Sequence, residues 1–129
     1  MDLGLSGRTA IVTGASRGIG LAVTRGLVAE GVHVTAAARK SSAELAELAR
    51  TDKVRAVEVD LAEPGGPATL VAAAGDRIDI LVNNVGAAPA RTGGFGEITD
   101  EDWQASLTLN LMAAVRTTRA ALPVMVAEP

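Results

Sequence analysis

A chain of 129 residues is long enough for one core and too short for two ordinary domains, and 48% hydrophobic and 21% charged residues with five prolines describe a packed globular protein. The net charge of -3, with no Lys/Arg cluster beyond Arg39-Lys40, argues against nucleic acid as a partner. No cysteine and a single histidine exclude disulfides and thiolate metal sites, so no metal is assigned.

Met1 to Gly7 lacks the basic start and long apolar stretch of a secretory signal. Arg8, Arg17, Arg25 and Glu30 keep the apolar N-terminal region below the roughly 20 residues that span a bilayer. A cytoplasmic location with no membrane partner is the default expectation.

In chain order, Thr9 to Thr13 is a β-branched apolar run ending at Gly14, and Ile19 to Glu30 carries Ile19, Val23 and Leu27 at helical spacing before Gly31. Val32 to Ala37 reads as a second strand. Ser42 to Arg50 reads as a second helix, with Leu45, Leu48 and Ala49 on one side and Ser41 or Ser42 as cap, and Val54 to Val59 as a third strand. Beyond the breakers Pro64 to Pro67, Ala68 to Ala74 suits a short helix and Ile78 to Val82 a fourth strand. A loop from Val85 to Thr99 then leads into a helical stretch, Asp100 to Val126, expected to bend near Asn110.

Strands that alternate with helices and are apolar nearly throughout predict a parallel sheet covered on both faces. In the order 3-2-1-4 the chain reverses between the first and fourth strands, and ligands bind in the crevice beyond the strands' carboxyl ends. Two unusual segments fall there, Gly14 to Gly20 and Asn83 to Gly86. The first spaces its glycines G-x-x-x-G-x-G between a strand and a helix. Glycine permits a tight turn and lets backbone N–H groups approach a pyrophosphate, and the helix N-terminus adds partial positive charge. Leu21, where a P-loop has lysine, disfavours nucleoside triphosphate hydrolysis.

Four motifs make the sequence resemble the short-chain dehydrogenase/reductase family over Leu5 to Val126. They are Thr13 to Gly20 for T-G-x-x-x-G-x-G, Asp60 in Val59-Asp60-Leu61 for an acidic adenine contact, Asn83-Asn84-Val85-Gly86 for N-N-A-G with Val85 departing, and Asn110 for a helical active-site asparagine. The resemblance implies an α/β fold with a doubly wound, Rossmann-type sheet in three layers, and hydride transfer between NAD(P)(H) and a carbonyl or alcohol. It places Gly14, Ser16, Arg17, Gly18, Ile19, Gly20, Arg39, Asp60, Leu61, Asn84 and Gly86 around the cofactor. Asn110 is placed in catalysis, through a helix bend whose carbonyl binds a relay water.

Local alternatives stand beside these roles. Asp60 either caps the turn before Pro64 or accepts from the adenine amino group. Asn83 and Asn84 are expected to hold the first and fourth strand ends together, with Asn84 near the ribose. Asn110, a poor helix former, is either an exposed helix residue or the relay element. His33 reads as structural, Trp103 as packing, and Asp100, Glu101 and Asp102 as favourable charges at a helix N-terminus. Arg116 and Arg119 suit a solvated face or a subunit contact.

NAD-binding domains place an acid roughly 20 residues beyond the glycine loop to bond the ribose hydroxyls. Here the second strand runs Ala36-Ala37-Ala38 into Arg39-Lys40, so no acid is expected there. Arg17 and Arg39 favour a 2′-phosphate, hence NADP(H), with Ser16 and Ser41 as further donors.

The family's catalytic serine and Tyr-x-x-x-Lys come after the fifth strand begins, whereas this sequence holds no tyrosine and is expected to reach Pro129 inside or just past the helix preceding that strand. The expectation is therefore one dinucleotide-binding domain over residues 1–129, the front part of an NADP-dependent oxidoreductase and inactive alone. The alternative is a non-catalytic dinucleotide-binding or subunit-interaction module. Leu107, Leu111, Met112, Val115 and Leu122 supply apolar surface for a homo-oligomer.

Overall fold

A computed structural model describes residues 1–127 and resolves four strands, β1 (Thr9–Thr13), β2 (His33–Ala38), β3 (Val54–Glu58) and β4 (Ile80–Val82). All pairings are parallel and the order is β3-β2-β1-β4, as the alternation of elements predicts. Among the described residues five α-helices flank these strands: α1 (Gly18–Ala29), α2 (Ala43–Leu48), α3 (Gly66–Ala74), α4 (Asp100–Leu107) and α5 (Ala113–Val126). The last two residues of the expected domain, Glu128 and Pro129, lie outside the described residues.

The side-chain period of two divides β1 between two cores. Ala10 and Val12 join Val34, Ala36 and Leu45 on one face, against Val23 and Leu27 of α1 and Leu48 of α2. Ile11 faces the other way, toward Leu70 and Val71 of α3, Ile78, and Ala113 and Ala121 of α5. Central strands buried on both faces explain the unbroken apolar runs in the sequence. The result is a three-layer, Rossmann-type α/β/α arrangement.

Differences from the sequence-based expectations have local causes. The α3 helix begins at Gly66, inside the expected breaker cluster, because Pro67 sits in its first turn, where a missing N–H costs nothing. Only Ile80 to Val82 pair as β4, since Ile78 turns into the core and Asp79 into a polar contact. A 3₁₀ turn, Phe95–Glu97, interrupts the loop after β4. The final helical stretch is broken by a π-helical segment, Thr108–Met112, around Asn110, where a bend was expected. Trp103 is half exposed and packs edge-on against Phe95, the ring centroids 6.2 Å apart. Pro123 also lies within α5.

Candidate functional site: the crevice at the carboxyl end of the sheet

The chain turns sharply out of β1 at Gly14 (φ +62°), and a side chain there would strike the Asn84 backbone, its carbonyl oxygen 2.6 Å from an added Cβ. Gly20 sits just beneath, where a Cβ would collide with the Gly14 carbonyl and approach the Asn84 amide nitrogen to 2.6 Å. These two glycines allow the loop, the first turn of α1 and the end of β4 to pack together. Gly18 (φ +56°) differs, because a Cβ on it would meet nothing within 4 Å. Its backbone borders open space, with the conformation rather than crowding requiring glycine.

No side chain caps the N-terminus of α1, whose N-cap residue is Arg17. In contrast, Ser42 caps α2 by accepting from Leu45 N–H, and Thr99 caps α4 in a reciprocal capping box with Asp102. The amides at the start of α1 therefore face the crevice with no side-chain acceptor, and Ile19 beside them is 74% exposed.

The crevice itself has a volume of about 960 Å³, a size suited to a sizeable small-molecule ligand. Of the expected cofactor residues, Gly14, Ser16, Arg17, Gly18, Ile19, Arg39, Asp60, Leu61, Asn84 and Gly86 line it. Gly20 supports it from below. Sequence reasoning missed Lys40 and Glu44 in the lining, along with Val59, Ala87 and Leu109. Lys40 was visible as part of the basic pair; Glu44 gave no signal apart from its place in a helix's first turn.

The two asparagines after β4 take separate tasks. Asn84 N–H donates to Thr13 Oγ1 at 2.8 Å and its side-chain amide donates to the Gly14 carbonyl at 3.3 Å, tying β4 to β1. Asn83 does not share this work, contrary to expectation, because the strand period sends its amide the other way, to Thr118 Oγ1 on α5 at 3.0 Å. Asp60 Oδ1 accepts from Ala62 N–H at 2.9 Å, so the turn-capping geometry is present while the residue also faces the crevice.

Asn110 lies outside the lining. Its Oδ1 accepts from Ala87 N–H and its amide donates to the Ala87 carbonyl, both at 2.9 Å, with a further donation to Ser106 O at 3.0 Å. The residue thus clamps the segment after Gly86 to the π-helical turn, and a Cβ on Gly86 would come within 2.8 Å of Asn110 Oδ1.

Around the end of β2 the chain gathers charge. Ser42 Oγ donates to the Ser16 carbonyl, which holds the glycine loop against the Ser41-Ser42 turn and brings Arg17 and Arg39 to the same rim. The end of β2 itself carries no acid, as the sequence indicates, but the neighbouring strand brings one, Glu58, beside it. Placed opposite Ala38 on β3, it accepts from Ser41 N–H through Oε2 at 2.9 Å. Asp79 and Asp102 are held below the usual carboxylate range, both outside the crevice. Thr9 N–H, then Arg77 and Arg8, does this for Asp79; Thr99 N–H, then its hydroxyl and Arg91, does it for Asp102. His33 is exposed at the opposite end of the sheet. Arg119 is exposed and Arg116 half-buried on α5. Among the described residues no cluster of acids and histidine could hold a metal ion, and no helix is long and apolar enough to cross a membrane.

Comparison with known proteins gives this geometry its context. The family model described as short chain dehydrogenase matches residues 8–129. L-xylulose reductase of Mesocricetus auratus is 37% identical over 128 residues, covering 99% of this chain and 51% of that protein. The structure of L-sorbose reductase from Gluconobacter frateurii, complexed with NADPH and L-sorbose, superposes with a TM-score of 0.85 at 40% identity, over 97% of this chain and 50% of that one. A blue fluorescent protein from a metagenomic library, in complex with NADPH, gives 0.82 at 34% identity over 94% and 52%. The chain spans about half the length of the curated relatives it matches. With the glycine turn, the β3-β2-β1-β4 sheet and a family match over nearly the whole sequence in agreement, the chain belongs to the short-chain dehydrogenase family.

Proposed function

We propose that this chain is the cofactor-binding half of an oxidoreductase that moves hydride between NADP(H) and a carbonyl or alcohol substrate. The observation that carries the reading is the uncapped N-terminus of α1, open at Gly18 and flanked by Arg17 and Arg39. An anionic, partly apolar ligand answers each feature. A pyrophosphate accepts the free amides at the loop from Gly14 to Gly20, and an adenosine covers Ile19. Asp60 and Leu61 then meet the adenine, Asn84 and Gly86 lie toward the ribose beside the nicotinamide, and Ser16, Arg17, Arg39 and Ser41 surround a 2′-phosphate.

When bound, the nicotinamide supplies the hydride. The residues of this chain bind and orient it, while Asn110 fixes the segment from Gly86 to Ala87 and, through its π-helical turn, offers a carbonyl to a relay water. Transfer also requires a group that protonates the carbonyl oxygen, which typically contributes roughly 10²- to 10⁴-fold in rate. No described residue of the crevice stands in that role, so residues 1–129 alone are expected to turn over far below roughly 1 per second. The relatives named as sugar reductases fit a carbonyl substrate.

Titration with both dinucleotides tests the binding reading. NADP(H) is expected to bind tighter than NAD(H), and Arg39→Asp to weaken it about ten- to a hundredfold by loss of a charge-assisted phosphate contact. Equal or tighter NAD(H) binding by the unchanged chain overturns the preference. A ketone- and aldehyde-dependent oxidation of NADPH at ordinary enzyme rates by the purified chain overturns the need for a further acid. Exposed Leu107, Leu111 and Leu122 support a homo-oligomer, which sedimentation at micromolar concentration checks.

A further inference from the structure

The contact between Glu58 and Ser41 has no place in the reading above, although it lies within the proposed phosphate subsite. Ser41 N–H stands two residues beyond Arg39, and its segment is fastened to the glycine loop by the bond from Ser42 Oγ to the Ser16 carbonyl. Arg17, Arg39, Lys40 and this amide therefore converge on one rim. Glu58 fills the amide at 2.9 Å from outside the crevice lining, with a carboxylate on an exposed side chain at the end of β3.

We propose that Glu58 is a specificity-determining residue that tempers the preference for a 2′-phosphate over an unphosphorylated ribose. The inference rests on the crevice being the adenosine end of a dinucleotide site. A 2′-phosphate brought to Arg39 and Ser41 must displace the carboxylate from the amide or lie against it, like charge beside like charge. A neutral ribose hydroxyl meets no such repulsion and is compatible with the carboxylate as it stands. Glu58 is free to swing into solvent, so it weakens the phosphorylated ligand without excluding it. Exposure and salt screen the repulsion, which sets its scale at about two- to tenfold in affinity.

The test follows NADP⁺ and NAD⁺ titrations of the 129-residue chain by amide NMR, using Gly18 and Ser41 as reporters, for the unchanged chain, Glu58→Gln, Glu58→Lys and the control Glu47→Gln. Glu47 carries the same charge on α2 but pairs with Arg50 and does not line the crevice. The affinity ratio of NADP⁺ to NAD⁺ is expected to rise about two- to tenfold in Glu58→Gln, further in Glu58→Lys, and to stay constant in Glu47→Gln. An unchanged ratio in both Glu58 variants, with the unchanged chain binding either dinucleotide, overturns the role of Glu58 and leaves the cofactor site standing. A rise of equal size in Glu47→Gln reduces the effect to net charge and overturns it too. Absence of binding by both dinucleotides at Gly18 and Ser41 overturns the site and the inference together.

Discussion

At the amino end of the sheet, Asp79 accepts from Thr9 N–H at 2.9 Å and pairs with Arg77 at 3.1 Å and Arg8 at 3.7 Å, while its own N–H donates to Thr9 O at 2.8 Å. At the carboxyl end β1 and β4 are also fastened, through Thr13 and Asn84, yet the start of α1 has no side-chain cap and Ile19 stands exposed. Both ends join the same two strands. The difference is that one satisfies its charge internally and the other leaves donors and apolar surface for something else to cover. If the proposed dinucleotide site is right, stability and binding fall to opposite ends of one sheet, and substitutions should separate them.

The largest effect is expected at Gly20. Valine there drives its Cβ into the Gly14 carbonyl and the Asn84 amide, and since one obstacle is backbone the site has little room to yield. Gly20→Val should cost about 3 kcal/mol in urea unfolding and abolish dinucleotide binding. Gly26, on the same helix, has open space around it, so Gly26→Ala should instead stabilise by about 0.5–1 kcal/mol through helix propensity with binding intact. Equal responses at the two positions would contradict the close packing of the loop under β4.

An intermediate effect belongs to Asn110. Asn110→Ala removes both hydrogen bonds to Ala87. Because Ala87 is exposed, water replaces them, and the cost should be only about 1 kcal/mol. Faster amide exchange should appear at Ala87 before any change at Thr9 or Asp79. Uniform acceleration across both ends of the sheet would mean that the clamp supports the whole fold.

What the sequence made legible follows from how local each signal is. The β-branched runs, the glycine spacing and the Asn83 to Gly86 segment are short-range patterns, so they disclosed the strand order and most of the crevice. For the same reason the cap of α2 was readable as Ser41 or Ser42, and it is Ser42. Glu58 and Ser41 lie 17 positions apart and meet only because β3 pairs beside β2, so nothing in the local pattern of either revealed an acid at the end of β2. The division of labour between Asn83 and Asn84 was hidden differently. Adjacent residues of a strand point to opposite faces, and identical side chains give no hint of which face holds the partner. Pro67 misled because the same residue that ends helices also begins them.

The smallest effect, and the one that tests the amino end, concerns acid. The Thr9 N–H bond is the largest cause of the lowered Asp79 pKa, with Arg77 and Arg8 adding to it against the opposing influence of burial. A carboxyl held below its ordinary value contributes stability in full above the unfolded pKa of about 3.9, and loses it as pH falls through the folded value. Asp79→Asn keeps an oxygen for Thr9 N–H but gives up the charge. It should therefore unfold about 0.5 kcal/mol more easily at neutral pH, with the deficit shrinking below about pH 4 as the unchanged chain protonates. Added salt should trim that deficit only in part. It screens Arg8 and Arg77, which are about half exposed, but leaves the charge-assisted bond from Thr9 largely in place. Dinucleotide affinity should not change, since Asp79 lies across the sheet from the crevice. A deficit that persists unchanged to low pH would remove the charge from the account, and a loss of dinucleotide binding would join the two ends that the structure keeps apart.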